Sequence, residues 1–135
     1  MTAHVRWHEN AVIYAVDVEV FQDSDGDGIG DFQGLQSRLE YLAHLGVDCL
    51  WLLPVYPSPN RDNGYDVADY YGVDAQYGTL GDFVEFVQAA TDHGIHVLVD
   101  LVVNHTSDEH PWFQQARDGH ERYREYYVWS EDHPD

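Results

Sequence analysis

The sequence predicts an α/β fold built on a parallel sheet. Three observations carry this expectation: apolar segments at 11–21, 47–53 and 95–103, amphipathic helical segments between them, and a polar loop after each apolar segment. Strands that alternate with helices are joined by right-handed crossovers, and continuous apolar strands suit a sheet covered by helices.

The first apolar segment, AVIYAVDVEVF at 11–21, is β-branched and aromatic and predicts a strand over its whole length. Phe32, Leu35, Leu39, Leu42 and Leu45 then recur at three- and four-residue intervals, which predicts one helix with a single buried face. Gly46 stands where a left-handed C-terminal cap is needed. VDCLWLL at 47–53 predicts a second strand closed by Pro54, and YPSPNRDNG at 56–64 reads as a loop. Thr79-Leu80-Gly81-Asp82 has the form of a capping box, opening a helix that runs through Phe83, Phe86, Val87 and Ala90 to Gly94. IHVLVDLVV at 95–103 predicts the third strand. Beyond it, 104–135 is rich in histidine, tryptophan, tyrosine and charge, with one short helix predicted near 111–117.

Composition narrows the function. The chain has 135 residues, 44% of them hydrophobic, which allows one folded domain or part of one and excludes an intrinsically disordered chain. Its 25 acidic residues face 6 basic ones, all arginine, for a net charge of −19. Such a surface repels phosphate backbones and anionic headgroups, so neutral or cationic ligands and metal ions are favoured over nucleic acid or membrane. Cys49 is the only cysteine, so no intrachain disulfide forms. No run approaches the ~18 apolar residues of a membrane span, and the N-terminus has no apolar stretch behind its charges, so the expectation is a soluble, cytoplasmic protein.

Three features bear on chemistry. In DSDGDGIGD, at 23–31, Asp23, Asp25, Asp27 and Asp31 are interleaved with glycines, so the loop can curl around a hard cation. Calcium takes six to eight oxygens, some from backbone carbonyls, and four close carboxylates repel one another unless neutralised. The loop opens like an EF-hand, but position twelve is Gly34 and a strand precedes it, which excludes that motif. Asp100, Asn104 and His105 lie at the end of the third strand, where α/β folds place their chemistry; by spacing alone they read as loop or cap hydrogen-bonders before substrate-orienting groups. Tyr65 and Asp66, in NGYD after the second strand, combine an aromatic face with a carboxylate, which suits a sugar or an ordinary turn. Trp51, Trp112, Phe113, Tyr123, Tyr126, Tyr127 and Trp129 read as packing before stacking platforms, and the histidines (His4, His8, His44, His93, His96, His110, His120, His133) show no metal-ligand spacing.

Taken in order, AVIYAVDVEVFQDSDGDGIGDFQGL, WLLPVYPSP, NGYDVADYYGVDAQYGTL and DLVVNHTSDEHPWF resemble the amino-terminal part of glycoside hydrolase family 13, the α-amylase family. Within it, LLPVYPSP and HPWFQQARDG resemble the trehalose synthase (maltose α-D-glucosyltransferase) branch first and the oligosaccharide α-glucosidase branch next. The resemblance implies the first three βα units of a (β/α)8 TIM barrel over 1–103 and the start of an inserted domain B over 104–135, a truncated portion of a domain of ~250 residues. It implies a retaining enzyme that acts on α-linked glucosides, interconverting maltose and trehalose or hydrolysing α-glucosides in the manner of an oligo-1,6-glucosidase.

Residue by residue, the resemblance implies a structural Ca2+ held by Asp23, Asp25, Asp27, the Ile29 carbonyl and Asp31, with Asn104 a candidate for a second site. Tyr65 would stack under the terminal glucose, Asp66 would hold its outer hydroxyls, His105 would bond the same sugar, and Asp100 would support from the strand end. Retaining glycosidases need a nucleophile and an acid/base ~5–5.5 Å apart. In this family both lie on later strands, so the expectation is that this chain lacks them and is inactive alone, with the rest of the barrel as a partner. A non-catalytic calcium- or sugar-binding module is the alternative from another class.

Overall fold

A computed structural model describes residues 6–131. His4 and His133 lie outside the described residues. The chain divides into two compact units, 1–55 with 73–101, and 56–72 with 102–135.

The first unit holds three parallel strands, β1 (Ile13–Val16), β2 (Cys49–Leu52) and β3 (His96–Val99), in the order β1-β2-β3. Register pairs Val16 with Leu52 and Leu52 with Val99. The parallel α/β expectation holds, but the strands are shorter than predicted, each for a local reason. β1 stops because the Asp17 carboxylate accepts the Glu19 N–H at 3.1 Å and caps a helical turn, α1 (Val18–Phe21), in place of the predicted strand end. β2 meets Pro54, which has no N–H to pair. β3 makes one further ladder bond, Asp100 N–H to the Leu52 carbonyl at 3.1 Å, where its neighbour runs out.

The predicted first helix is two: α2 (Phe32–Ser37) and α3 (Leu39–Leu45). Ser37 Oγ donates to the Gly34 carbonyl at 2.6 Å, a back-bond that competes with the helical ladder, and Arg38 leaves the helical region with φ −104° and ψ 2°. The apolar period continues across the break, so the periodicity hid it. Gly46 caps α3 as expected, at φ 89°, and the Val47 N–H reaches back to the Leu42 carbonyl at 3.1 Å. α4 (Leu80–Asp92) carries the predicted capping box, with Thr79 and Asp82 bonding each other's backbone N–H.

Phe32, Leu35, Leu39, Leu42, Phe86 and Ala90 from the helices close over Val16, Leu50 and Leu52 from the sheet, forming one core. The opposite sheet face presents Ile13, Trp51 and Leu98, which are 49%, 40% and 42% exposed. On that same face Cys49 is buried and the Trp7 ring stacks on His96 at 4.1 Å.

In the second unit the Ser107 N–H bonds the Val67 carbonyl and the Ala68 N–H bonds the Pro57 carbonyl, each at 2.8 Å, around buried Val67 and Val102. These bonds group loop 56–72 with the C-terminal segment. The predicted short helix is α5 (Pro111–Arg117); the buried His110 ring caps it by accepting the Trp112 N–H at 3.1 Å, and Pro111 sits at its first turn. A further turn, α6 (Glu121–Arg124), was not predicted. Among the described residues no helix is long and apolar enough to cross a membrane.

Candidate functional site

In the first unit, residues 23–31 form an open loop folded on its own carboxylates. Asp23 accepts from the N–H groups of Asp25, Gly26 and Gly28 at 2.9, 2.7 and 2.8 Å, Asp25 from Asp27 at 3.1 Å, and Asp27 from Ile29 at 2.7 Å. Gly26 and Gly28 adopt φ 89° and 91°, a region that L-residues enter at a cost. Asp23, Asp25 and Asp27 each offer a carboxylate oxygen within 4.8 Å of the others. The N–H groups of Gly26 and then Gly28 hold the Asp23 carboxyl below its ordinary range, so it stays ionised. Three hard, charged oxygens at this separation fit a calcium-like cation.

Asp31 is otherwise engaged. One of its oxygens accepts both the N–H and the hydroxyl of Ser24, at 2.9 and 2.8 Å, while the other caps α2 through the Gly34 N–H at 2.6 Å. Its burial pushes the carboxyl up, but the Gly34 and Ser24 donors outweigh that and lower it. The loop end is clamped by the Gly30 N–H on the Glu19 carbonyl at 2.6 Å, and a Cβ on Gly30 would stand 2.0 Å from the Val18 carbonyl oxygen. Asp100, at the end of β3 in the same unit, accepts from the Trp51 indole at 2.7 Å.

The second unit contains Tyr65, Asp66 and His105. Asp62 to Tyr65 form a tight turn closed by the Tyr65 N–H on the Asp62 carbonyl at 2.9 Å; Asn63 and Gly64 have φ 50° and 83°, the signs of a type I′ turn, for which Asn-Gly is the favoured pair. The turn aims the Tyr65 carbonyl at the His105 ring, whose Nε2 donates to it at 3.2 Å, and this fixes the tautomer. Nδ1 is then the acceptor for the Asn104 amide at 3.4 Å.

Asp66 is the organiser of its own loop. Its Oδ1 accepts from Ser58 Oγ at 2.8 Å and the Asp62 N–H at 3.1 Å, and its Oδ2 accepts from the Arg61 N–H at 2.9 Å. Burial alone would raise its carboxyl, yet the Arg61 N–H, the Ser58 hydroxyl and the Asp62 N–H together pull it below the usual range. With two acceptor sites on each oxygen, one remains, on Oδ2. Sequence reasoning passed over Arg61 and Asp62. The exposed Asp62 carboxylate has no hydrogen bond among the described residues, so it is the open acidic group of this loop. Its signal was the run SPNRDNGYD, in which Ser58 and Asp66 bracket the residues they hold.

The aromatics pack, as the sequence reading favoured. Trp112 lies 4.5 Å from the His110 ring and 6.1 Å from Tyr70, while Trp129 has Phe113 stacked at 6.0 Å and the Arg124 guanidinium over its ring at 4.6 Å. Among the described residues no histidine joins a metal-binding group.

Comparison with known proteins adds the lineage. The description "Alpha amylase, catalytic domain" matches residues 14–135. An alpha-glucosidase of Pediococcus pentosaceus is 51% identical over 130 residues, covering 96% of this chain and 23% of that protein. A trehalose synthase/amylase of Mycolicibacterium smegmatis is 52% identical over 126 residues, covering 93% of this chain and 21% of that protein. The crystal structure of Bacillus licheniformis trehalose-6-phosphate hydrolase superposes with a TM-score of 0.89 at 46% identity, over 95% of this chain and 23% of that one. The chain thus spans between a fifth and a quarter of the length of these relatives.

Proposed function

The chain belongs to the α-amylase family, and from that premise we propose that it supplies the glucosyl-binding loop of an enzyme acting on α-linked glucosides. Its parallel strands and helices match the N-terminal part of the family's TIM barrel. The observation that carries the proposal is the rigid Tyr65 turn, locked by Asp66 beneath and by His105 on its carbonyl. A held aromatic ring offers a face for sugar C–H groups, and the Asp62 carboxylate and the remaining Asp66 site offer acceptors for hydroxyls. Asp100 is proposed as a supporting strand-end carboxylate of the enzyme, with one oxygen engaged by Trp51.

The reaction we propose is retaining glucosyl transfer, interconverting maltose and trehalose. Hydrolysis of an α-glucoside is the second reading, favoured by the alpha-glucosidase among the relatives. Neither Asp66 nor Asp100 is assigned as nucleophile or acid/base, because the first is occupied by its loop and the second by an indole. A polypeptide of these 135 residues is therefore expected to bind sugar without turning it over. Turnover of maltose or a chromogenic α-glucoside by the purified chain would overturn that.

Ca2+ is proposed for the acidic loop, held by Asp23, Asp25, Asp27 and the Ile29 carbonyl, with Asp31 fixing the loop end and Asn104 retained as a separate candidate. The ion would neutralise the carboxylates and stiffen the loop. The decisive experiment for the sugar site is titration of maltose into the chain and its Tyr65→Ala variant. Saturable binding by the parent and its loss in the variant support the reading; equal binding by both contradicts it.

A further inference from the structure

Arg61 is the single cation of loop 56–66, and its charge is already matched. Its guanidinium Nη1 bonds both oxygens of Asp108, at 3.0 and 3.3 Å, and Nη2 bonds Glu109 at 2.5 Å. The two acids are held in place from behind. The Glu109 N–H bonds the buried Ser107 hydroxyl at 3.1 Å, and the Asp108 carbonyl accepts the Gln114 side chain from α5. The Arg61 backbone meanwhile donates to Asp66, so one residue joins the Tyr65 loop to the segment that follows His105. Asp108 and Glu109 hold this guanidinium between them, and the same loop carries the carboxylates of Asp62 and Asp66.

We propose that the Arg61–Asp108–Glu109 clasp makes this loop select an uncharged glucosyl unit and reject a phosphorylated one. The inference rests on the sugar-binding reading above and names its substrate class. A sugar phosphate carries about −1.5 to −2 charges at neutral pH. To bind here it needs a cation, and the only one in the loop is held by two anchored carboxylates. The Asp62 and Asp66 carboxylates then repel it within the ~8 Å over which charges act at physiological salt. A neutral sugar meets none of these terms.

The test uses the whole chain and its Asp108→Asn/Glu109→Gln variant, titrated with methyl α-glucoside, its 6-phosphate and inorganic phosphate. The three paired side chains are 50–63% exposed, so the neutral replacements are not expected to disturb folding. The parent is expected to bind methyl α-glucoside at least about tenfold more tightly than its 6-phosphate; in the variant the freed Arg61 narrows that gap about tenfold and also tightens inorganic phosphate binding. Adding Arg61→Gln to the variant should remove both gains. Equal affinity of the parent for the two sugars overturns the proposal, as does a variant that binds inorganic phosphate no better than the parent. Failure of the parent to bind methyl α-glucoside, with the phosphate gain intact, strikes the sugar reading and leaves the clasp standing.

Discussion

Replacing Asp66 by asparagine separates the two jobs a carboxylate can have in the Tyr65 loop. Asparagine keeps one acceptor oxygen for Ser58 Oγ and the Asp62 N–H, but it turns an NH2 group toward the Arg61 N–H, which now donates to Oδ2 at 2.9 Å. A hydrogen bond to a charged group contributes ~1.5–3 kcal/mol when well shielded, and the partial exposure of this loop discounts that to about 1–2 kcal/mol. Since 1.4 kcal/mol is a factor of about ten, amide exchange at Arg61 and Asp62 should accelerate by about five- to thirtyfold in Asp66→Asn. Asp62→Asn, which removes no hydrogen bond, should leave those rates and the stability within about 0.5 kcal/mol of the parent, yet weaken sugar binding. The pH sign follows from the lowered carboxyl of Asp66: its contribution is present above the ordinary 3.8 and is lost as pH falls through the lower folded value, so parent and Asp66→Asn converge in acid. Unchanged exchange at Arg61 and Asp62 in Asp66→Asn, or equal damage from Asp62→Asn, would refute the assignment of Asp66 as organiser.

Other perturbations probe other links. Asp27→Ala removes one of three clustered carboxylates and should weaken calcium binding at least about tenfold by titration calorimetry, whereas unchanged affinity refutes the ligand set. Thr79→Ala removes the hydroxyl half of the α4 capping box, leaving the backbone N–H of residue 79 on Asp82, and should cost about 1 kcal/mol in urea unfolding, against no change if the cap is ornamental. Burial lowers the His110 imidazole from its ordinary 6.5, with Asp69 opposing, and its Nδ1 must stay unprotonated to cap α5. The unfolded chain therefore takes up the proton first, so stability is full above about 6.5 and declines as pH falls below it. Asn is a good cap that does not titrate, so His110→Asn should flatten this slope; an identical slope contradicts the assignment.

Local signals were legible where a residue acts on its own neighbours. The α4 capping box and the Gly46 cap each depend on a few adjacent residues, and both are found as predicted. The parallel order was legible because helices separate the strands. What failed was competition between a side chain and the backbone inside an apolar run: Asp17 turned a β-branched segment into a helical turn, and Ser37 split a helix whose apolar period ran on. The donors that hold Asp31 and Asp66 in their loops, the Gly34 N–H and the Arg61 N–H, were likewise not legible from the carboxylates alone. Arg61 was invisible because its acidic partners lie 47 and 48 residues away, a pairing that no local pattern encodes.

The central claim, that the Tyr65 loop binds an α-linked glucosyl unit, is tested most directly by nuclear magnetic resonance titration of the 135-residue chain with maltose. Saturable shifts are expected, confined to the amides of Asp62, Gly64 and Tyr65 and to the His105 ring and abolished by Tyr65→Ala. Shifts centred elsewhere, or none at concentrations that saturate the parent family's enzymes, would contradict it.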